Sequence, residues 1–145
     1  MEFDIQEYGF GARPDVPNID GDIYAFLGEE GVRKLISDHY DLLVQSEIKH
    51  LFPRENSSAL ETAKKHSSDF FVQRLGGPDY YSQNRGNPMM VSRHRPFRIN
   101  ARARVVWLGC YKEALLRTGM PDHLIRSYWD FIQVFSAWMV NTRGE

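Results

Sequence analysis

The chain has 145 residues, a formal net charge of -1 and a pI near 6.5, with 42% hydrophobic and 13% aromatic residues. That balance gives one domain with a filled core and excludes a disordered or strongly basic chain. The single cysteine, Cys110, excludes an internal disulfide, no apolar run approaches membrane-spanning length, and no basic-then-apolar leader opens the chain. The expected location is therefore cytoplasmic, with no membrane partner.

Residues 1–21 hold Gly9, Gly11, Pro14 and Pro17 among scattered polar groups, so an N-terminal extension is expected there in place of a helix. Phe3, Tyr8 and Phe10 would let it pack on the domain or on a partner subunit; a mobile terminus is the other reading. The domain proper is expected over 22–145. Ile23, Phe26 and Leu27 form a short helix that Gly28 can end. Val32, Leu35, Ile36, Tyr40, Leu43 and Val44 then recur at three- and four-residue steps, which predicts one buried face. Tyr40 lies on this inward stripe, and His39 is expected to turn outward or sideways.

Ile48, Leu51 and Phe52 predict a short connecting helix ending at Pro53. Ser57 and Ser58 are expected N-caps for the next helix, with Glu61 completing a capping box. On that helix Ala63, Ser67, Phe70 and Phe71 share a face. Gly76, Gly77 and Pro78 end it, and a polar loop over 79–87 needs Tyr81 and Arg85 to tie it down. Pro88 is expected to open a short helix carrying Met89, Met90 and Val91 toward His94, with Met90 one turn before the histidine. Pro96 stops that helix, and Phe97 and Ile99 follow on one side of an extended link. Asn100 is the expected N-cap of a long helix that carries Val105, Trp107, Leu108, Tyr111, Ala114 and Leu115 and ends near Thr118 and Gly119. Cys110 on it is expected to be a buried small residue. A last helix from Pro121 presents Leu124, Trp129, Ile132, Val134, Phe135, Trp138 and Met139. The fold class is all-α.

The stretch RGNPMMVSRHRPFRINARARVVW, residues 85–107, sets His94 among Arg85, Arg93, Arg95, Arg98, Arg102 and Arg104, and no acidic residue falls between Asp79 and Glu113. Met89, Met90, Val91, Phe97, Ile99 and Trp107 share the segment. A site both cationic and apolar suits a ligand with an anionic rim and an apolar body. Nucleic acid would use the arginines for phosphates and the aromatics for stacking. A haem would use the arginines for propionates, the apolar side chains for the porphyrin faces and His94 as an axial ligand. The mildly acidic whole chain counts against nucleic acid, and no DNA partner is expected. The alternative kept open is a cofactor-free helical interaction or nucleic-acid-binding domain that exposes residues 85–104. The five histidines show no paired spacing on one helix face for zinc or non-haem iron.

The runs LGGPDYYSQNRGNP, RHRPFRI and WLGCYKEAL resemble the region around the proximal histidine of the group II truncated haemoglobins, and a weaker match reaches from about Tyr24 to about Asn141. The resemblance implies a globin-like, two-over-two helical sandwich around haem b, with His94 as the iron ligand. It implies that Tyr40 and Trp107 point donors at the bound ligand, and that Phe52 wedges a ring against the haem without the hydroxyl the family often has there. Ala63 takes the place where many globins carry a distal histidine, and Ser67 a place more often Leu or Gln. Phe70, Phe71, Met90, Arg93, Phe97 and Ile99 are the further implied haem contacts. The apolar surface of the last helix, Phe135 and Met139 included, would lie against the haem and the preceding helix, and His66 is either solvated beside Lys64 and Lys65 or near a propionate. Asn87 stands where the family commonly has histidine. The implied ligands are O2, NO, CO, cyanide and similar small molecules, in a monomer or homodimer. NO dioxygenation or peroxidase chemistry would require an external reductase.

Overall fold

Gly28 divides the first long helix. In the computed structural model, which describes residues 2–144, α1 (Asp22–Leu43) bends where Gly28 takes φ 66° and ψ 179°. Only glycine adopts that left-handed φ without strain. Met1 and Glu145, at the ends of the expected extension and domain, lie outside the described residues.

After a single 3-10 turn at Lys49–Leu51 comes α2 (Ser57–Arg74). Its N-cap is Asn56, not Ser57 or Ser58. The Asn56 side chain, on extended backbone, accepts from the Ala59 amide at 2.7 Å, which places both serines inside the first turn. Glu61 closes no capping box and instead faces Lys64 at 3.6 Å. The expected polar loop is a helix, α3 (Tyr80–Arg85). Tertiary contacts explain the difference: Gln73 accepts from the Ser82 amide and donates to its hydroxyl, both at 2.9 Å, and Tyr81 is buried. The short helix α4 (Met90–His94) starts at Met90, not at Pro88, because Met89 takes a left-handed φ of 41°.

Asn100 caps α5 (Ala101–Leu116), accepting from the Ala103 amide at 2.8 Å, and α6 (Asp122–Met139) follows Pro121. Cys110 is half-buried on α5, and burial pushes its thiol pKa up, so it is neither the sealed core residue expected nor an activated nucleophile.

Helix α1 packs on α2 and α5, α5 packs on α6, and α4 sits against α6. Ile36, Leu108, Tyr111, Leu115, Tyr128 and Ile132 are sealed where these pairs meet. The extension lies along α6: the Trp129 and Trp138 indoles donate to the carbonyls of Asp4 at 3.1 Å and Pro14 at 2.8 Å, and Phe3 meets the Trp129 ring edge-on. No helix among the described residues is long and apolar enough to cross a membrane.

The turn after α2 is tightly fitted. A Cβ on Gly77 would stand 2.6 Å from Tyr24 Cζ and 2.8 Å from Val72 Cγ1. Gly77→Ala is expected to cost about 2 kcal/mol through this overpacking, read as a lower denaturant midpoint with an unchanged slope. Wild-type stability would show that the turn yields freely.

Candidate functional site

The helices enclose a cavity of about 320 Å³. Tyr40 reaches it from α1 and Phe52 from the segment after the 3-10 turn. Ala63, His66, Ser67, Phe70 and Phe71 come from α2, spaced so that one helix face supplies all but His66. Met90, Arg93 and His94 come from α4, Phe97 and Ile99 from the link, and Trp107 from α5. All the site residues singled out from the sequence thus line this one cavity.

Helix α4 aims and prepares His94. Its Nδ1 lies 2.6 Å from the Met90 carbonyl. A carbonyl only accepts, so Nδ1 carries the proton and Nε2 keeps its lone pair, with no hydrogen-bond partner among the described residues. Burial lowers the imidazole pKa and the Met90 bond opposes it, with burial prevailing. A neutral, oriented imidazole with a free nitrogen is what a metal ligand requires.

The arginine stretch divides on folding. Arg93 is held by three carbonyls, donating from Nε to Pro88 at 2.6 Å and from Nη2 to Arg85 at 2.8 Å and Asn87 at 3.0 Å. Arg85 donates to His66 Nδ1 at 3.2 Å. Burial and the charges of Arg85 and Lys65 lower the His66 pKa, so it is a neutral rim residue tied to Arg85 instead of a free solvated one. Arg102 leaves the site to pair with Glu47 through two bonds, at 2.6 and 3.0 Å. Arg104 turns inward, 6% exposed, and holds Ser136 Oγ, Gln133 O and Gln6 O. An exposed contact surface over residues 85–104 therefore loses two of its six arginines, while Arg85, Arg93 and His66 border the cavity.

Opposing polar groups come from α1 and α5. The Tyr40 phenol has its pKa raised by burial against the contrary effect of Ser67, so it remains a neutral donor, and its ring meets Phe52 edge-on at 5.6 Å. Trp107 Nε1–H has no acceptor among the described residues, and its ring lies 4.9 Å from Tyr111. His39 does not face outward or sideways. It is 2% exposed and lines the cavity, because Leu35, Ile36, His39 and Leu43 fall on one stripe at helical spacing.

Sequence reasoning also missed Tyr81, Tyr111 and Ser136 as lining residues, while Phe135 and Met139, expected on the apolar surface that the last helix turns to the haem, do line the cavity, as does Arg104 of the arginine stretch. Tyr111 had a legible signal, four residues after Trp107 on the same helix face. Its hydroxyl is 2.6 Å from that of Tyr128 behind it, and one of the two donates to the other in a fully buried hydrogen bond. No three His, Cys, Asp or Glu side chains converge on a metal position among the described residues. A lone uncommitted imidazole, an apolar cavity and a cationic rim fit a haem, whose porphyrin supplies the remaining ligands.

Comparison with known proteins agrees. The model of the bacterial-like globin family matches residues 22–141. The group 2 truncated hemoglobin YjbI of Bacillus subtilis is 32% identical over 81% of this chain and 87% of its own. Among solved structures, phosphate-bound Hell's gate globin IV superposes with a TM-score of 0.88 at 36% identity, over 97% of this chain and 87% of that one. The group II truncated hemoglobin of Bacillus anthracis superposes with a TM-score of 0.78 at 28% identity, over 84% and 97%. Fold, cavity and kinship converge: the chain belongs to the bacterial-like globin family, as a group II truncated haemoglobin of two-over-two fold that binds haem and oxygen.

Proposed function

We propose that residues 22–145 form a haem b globin that binds O2 with slow release, with His94 as the residue that would hold the haem and Tyr40 and Trp107 as the donors to the bound gas. The observation that carries this reading is the pairing, in one cavity, of an imidazole whose Nε2 is uncommitted with an indole whose Nε1–H is uncommitted. When bound, haem would supply an iron able to take a diatomic ligand. The protein does the rest: Met90 O fixes the His94 tautomer, Phe70, Phe71 and Phe135 keep water from the cavity interior, and Arg85, Arg93 and His66 complement carboxylates at the rim.

Negative charge that develops on bound oxygen is stabilised by neutral donors aimed at it, each worth roughly 1.5–3 kcal/mol. A solved neighbour, the truncated oxygen-avid haemoglobin from Bacillus subtilis, is similar at 29% identity and a TM-score of 0.74. Slow release suits reactions of the held ligand, NO oxidation to nitrate or peroxide turnover, sustained by an external electron donor. CO, cyanide and azide are expected to enter the same space.

The visible spectrum of the protein as expressed tests the first step, a Soret band being the expected result. Its absence after reconstitution with haem would favour the cofactor-free reading. NO consumption by the oxygenated protein, with peroxidase turnover measured alongside, then separates the two reactions.

A further inference from the structure

One polar side chain of the cavity is neither iron ligand, rim residue nor proposed donor to the gas. His39 sits 2% exposed on α1, with Nε2 3.0 Å from the Trp107 carbonyl of α5. The carbonyl only accepts, so Nε2 carries the hydrogen and a single tautomer is fixed. Burial pushes the imidazole pKa down to about 3 against the opposing effect of the Trp107 bond, leaving a neutral donor at any physiological pH. Its ring packs in a triangle with two others, 3.9 Å from Tyr111 and 5.1 Å from Trp107, which are themselves 4.9 Å apart, and stands edge-on to Tyr40 at 6.4 Å.

Among the described residues this is the only side-chain hydrogen bond between α1 and α5. These helices carry Tyr40 and Trp107 respectively. The other side chains between them are largely apolar, and apolar contact is non-directional: it holds two helices together without fixing their register. A phenylalanine would fill the same space at no desolvation cost, so the imidazole gains its advantage only through the bond it makes.

We propose that His39 is a positioning residue for oxygen binding: its Nε2–H clamps the α5 backbone at Trp107 to α1 and so fixes the indole N–H relative to the Tyr40 hydroxyl. The clamp rests on the reading of Trp107 and Tyr40 as donors to the bound gas, and it acts through Trp107 without touching the ligand.

The test uses the haem-loaded full chain and four variants: His39→Phe, His39→Gln, Trp107→Phe and the double variant His39→Phe/Trp107→Phe. His39→Phe is expected to raise the oxygen dissociation rate about fivefold, the scale of one lost neutral hydrogen bond. It should also shift the C–O stretching band of the carbon monoxide complex and the indole N–H resonance of Trp107, the latter recorded in the haem-free chain as well. His39→Gln, whose amide N–H can reach the carbonyl, should recover most of each effect. In the Trp107→Phe background, where the carbonyl remains but the indole is gone, His39→Phe should change the rate less than about twofold.

An equal effect in both backgrounds, or none in either, would overturn the clamp and leave His39 a packing residue. Should Trp107→Phe alone leave the rate unchanged, the donor reading fails and the clamp with it. A raised rate in Trp107→Phe beside an unchanged one in His39→Phe overturns the clamp alone. If His39→Phe does not fold, His39→Asn, too short to reach the carbonyl, replaces it: a faster rate than in His39→Gln supports the clamp, and equal rates overturn it.

Discussion

His94→Gly is expected to abolish retention of haem, with the Soret absorbance of the purified chain, relative to its 280 nm band, falling by about tenfold or more. His94 is the one side chain proposed to bond the iron, and no cluster of His, Cys, Asp or Glu among the described residues offers a substitute. The protein should remain folded, because α4 has other anchors. Arg93 is bound to three carbonyls, and Asn141 Nδ2 donates to the His94 and Phe97 carbonyls at 3.2 and 2.8 Å. Far-ultraviolet circular dichroism of the variant should match the wild type, and added imidazole should restore a Soret band by occupying the vacated space. A variant that keeps haem with an unaltered spectrum would remove His94 as the ligand.

How much of this site could be read in advance follows from the range of each interaction. Tyr40 and the α2 face were legible as one-sided stripes because helical spacing decides which side of a helix a residue occupies. Trp107, on a helix apolar around much of its circumference, is placed at the site only by the family resemblance. Asn100 was legible as a cap because the signal is local, spanning three residues. Asn56 is not separable in sequence from the serines beside it, since all three are good caps and only the backbone's entry angle chooses among them. Residues 80–85 carry a polar sequence that reads as loop. They fold as a helix because Gln73, on another element, grips Ser82, which no local pattern records.

The histidine before Tyr40 failed for a different reason. Its position on the stripe is readable, but a polar side chain argues against burial, and the bond that makes burial tolerable lies 68 residues away at Trp107. The arginines failed likewise. A run of like charge looks uniform in sequence, yet Glu47 removes Arg102 and the carbonyls of the extension and α6 draw in Arg104. A cationic stretch indicates a field; which members face the ligand depends on partners far along the chain.

Tyr40→Phe and Trp107→Phe are each expected to raise the oxygen dissociation rate by roughly 10- to 150-fold, the equivalent of 1.5–3 kcal/mol for a hydrogen bond to a partly charged acceptor. Both substitutions keep a ring in place, so packing against Phe52 and Tyr111 is largely preserved and the change reports the lost donor. Redundancy is low, since Phe52 carries no hydroxyl and Ala63 no donor where other members of the family could supply one. The Tyr40 hydroxyl already interacts with Ser67, whereas the Trp107 N–H has no protein acceptor among the described residues. Trp107 therefore has nothing to give up on binding the gas, and its loss should have the larger effect. Two donors sharing one acceptor do not act independently, so the double variant should fall short of the product of the single effects. Association rates should change much less, because a donor that meets its acceptor only after the ligand has arrived acts on escape. Unchanged dissociation in both single variants would show that neither group touches the bound gas, and stabilisation would then have to come from the cavity's apolar walls alone.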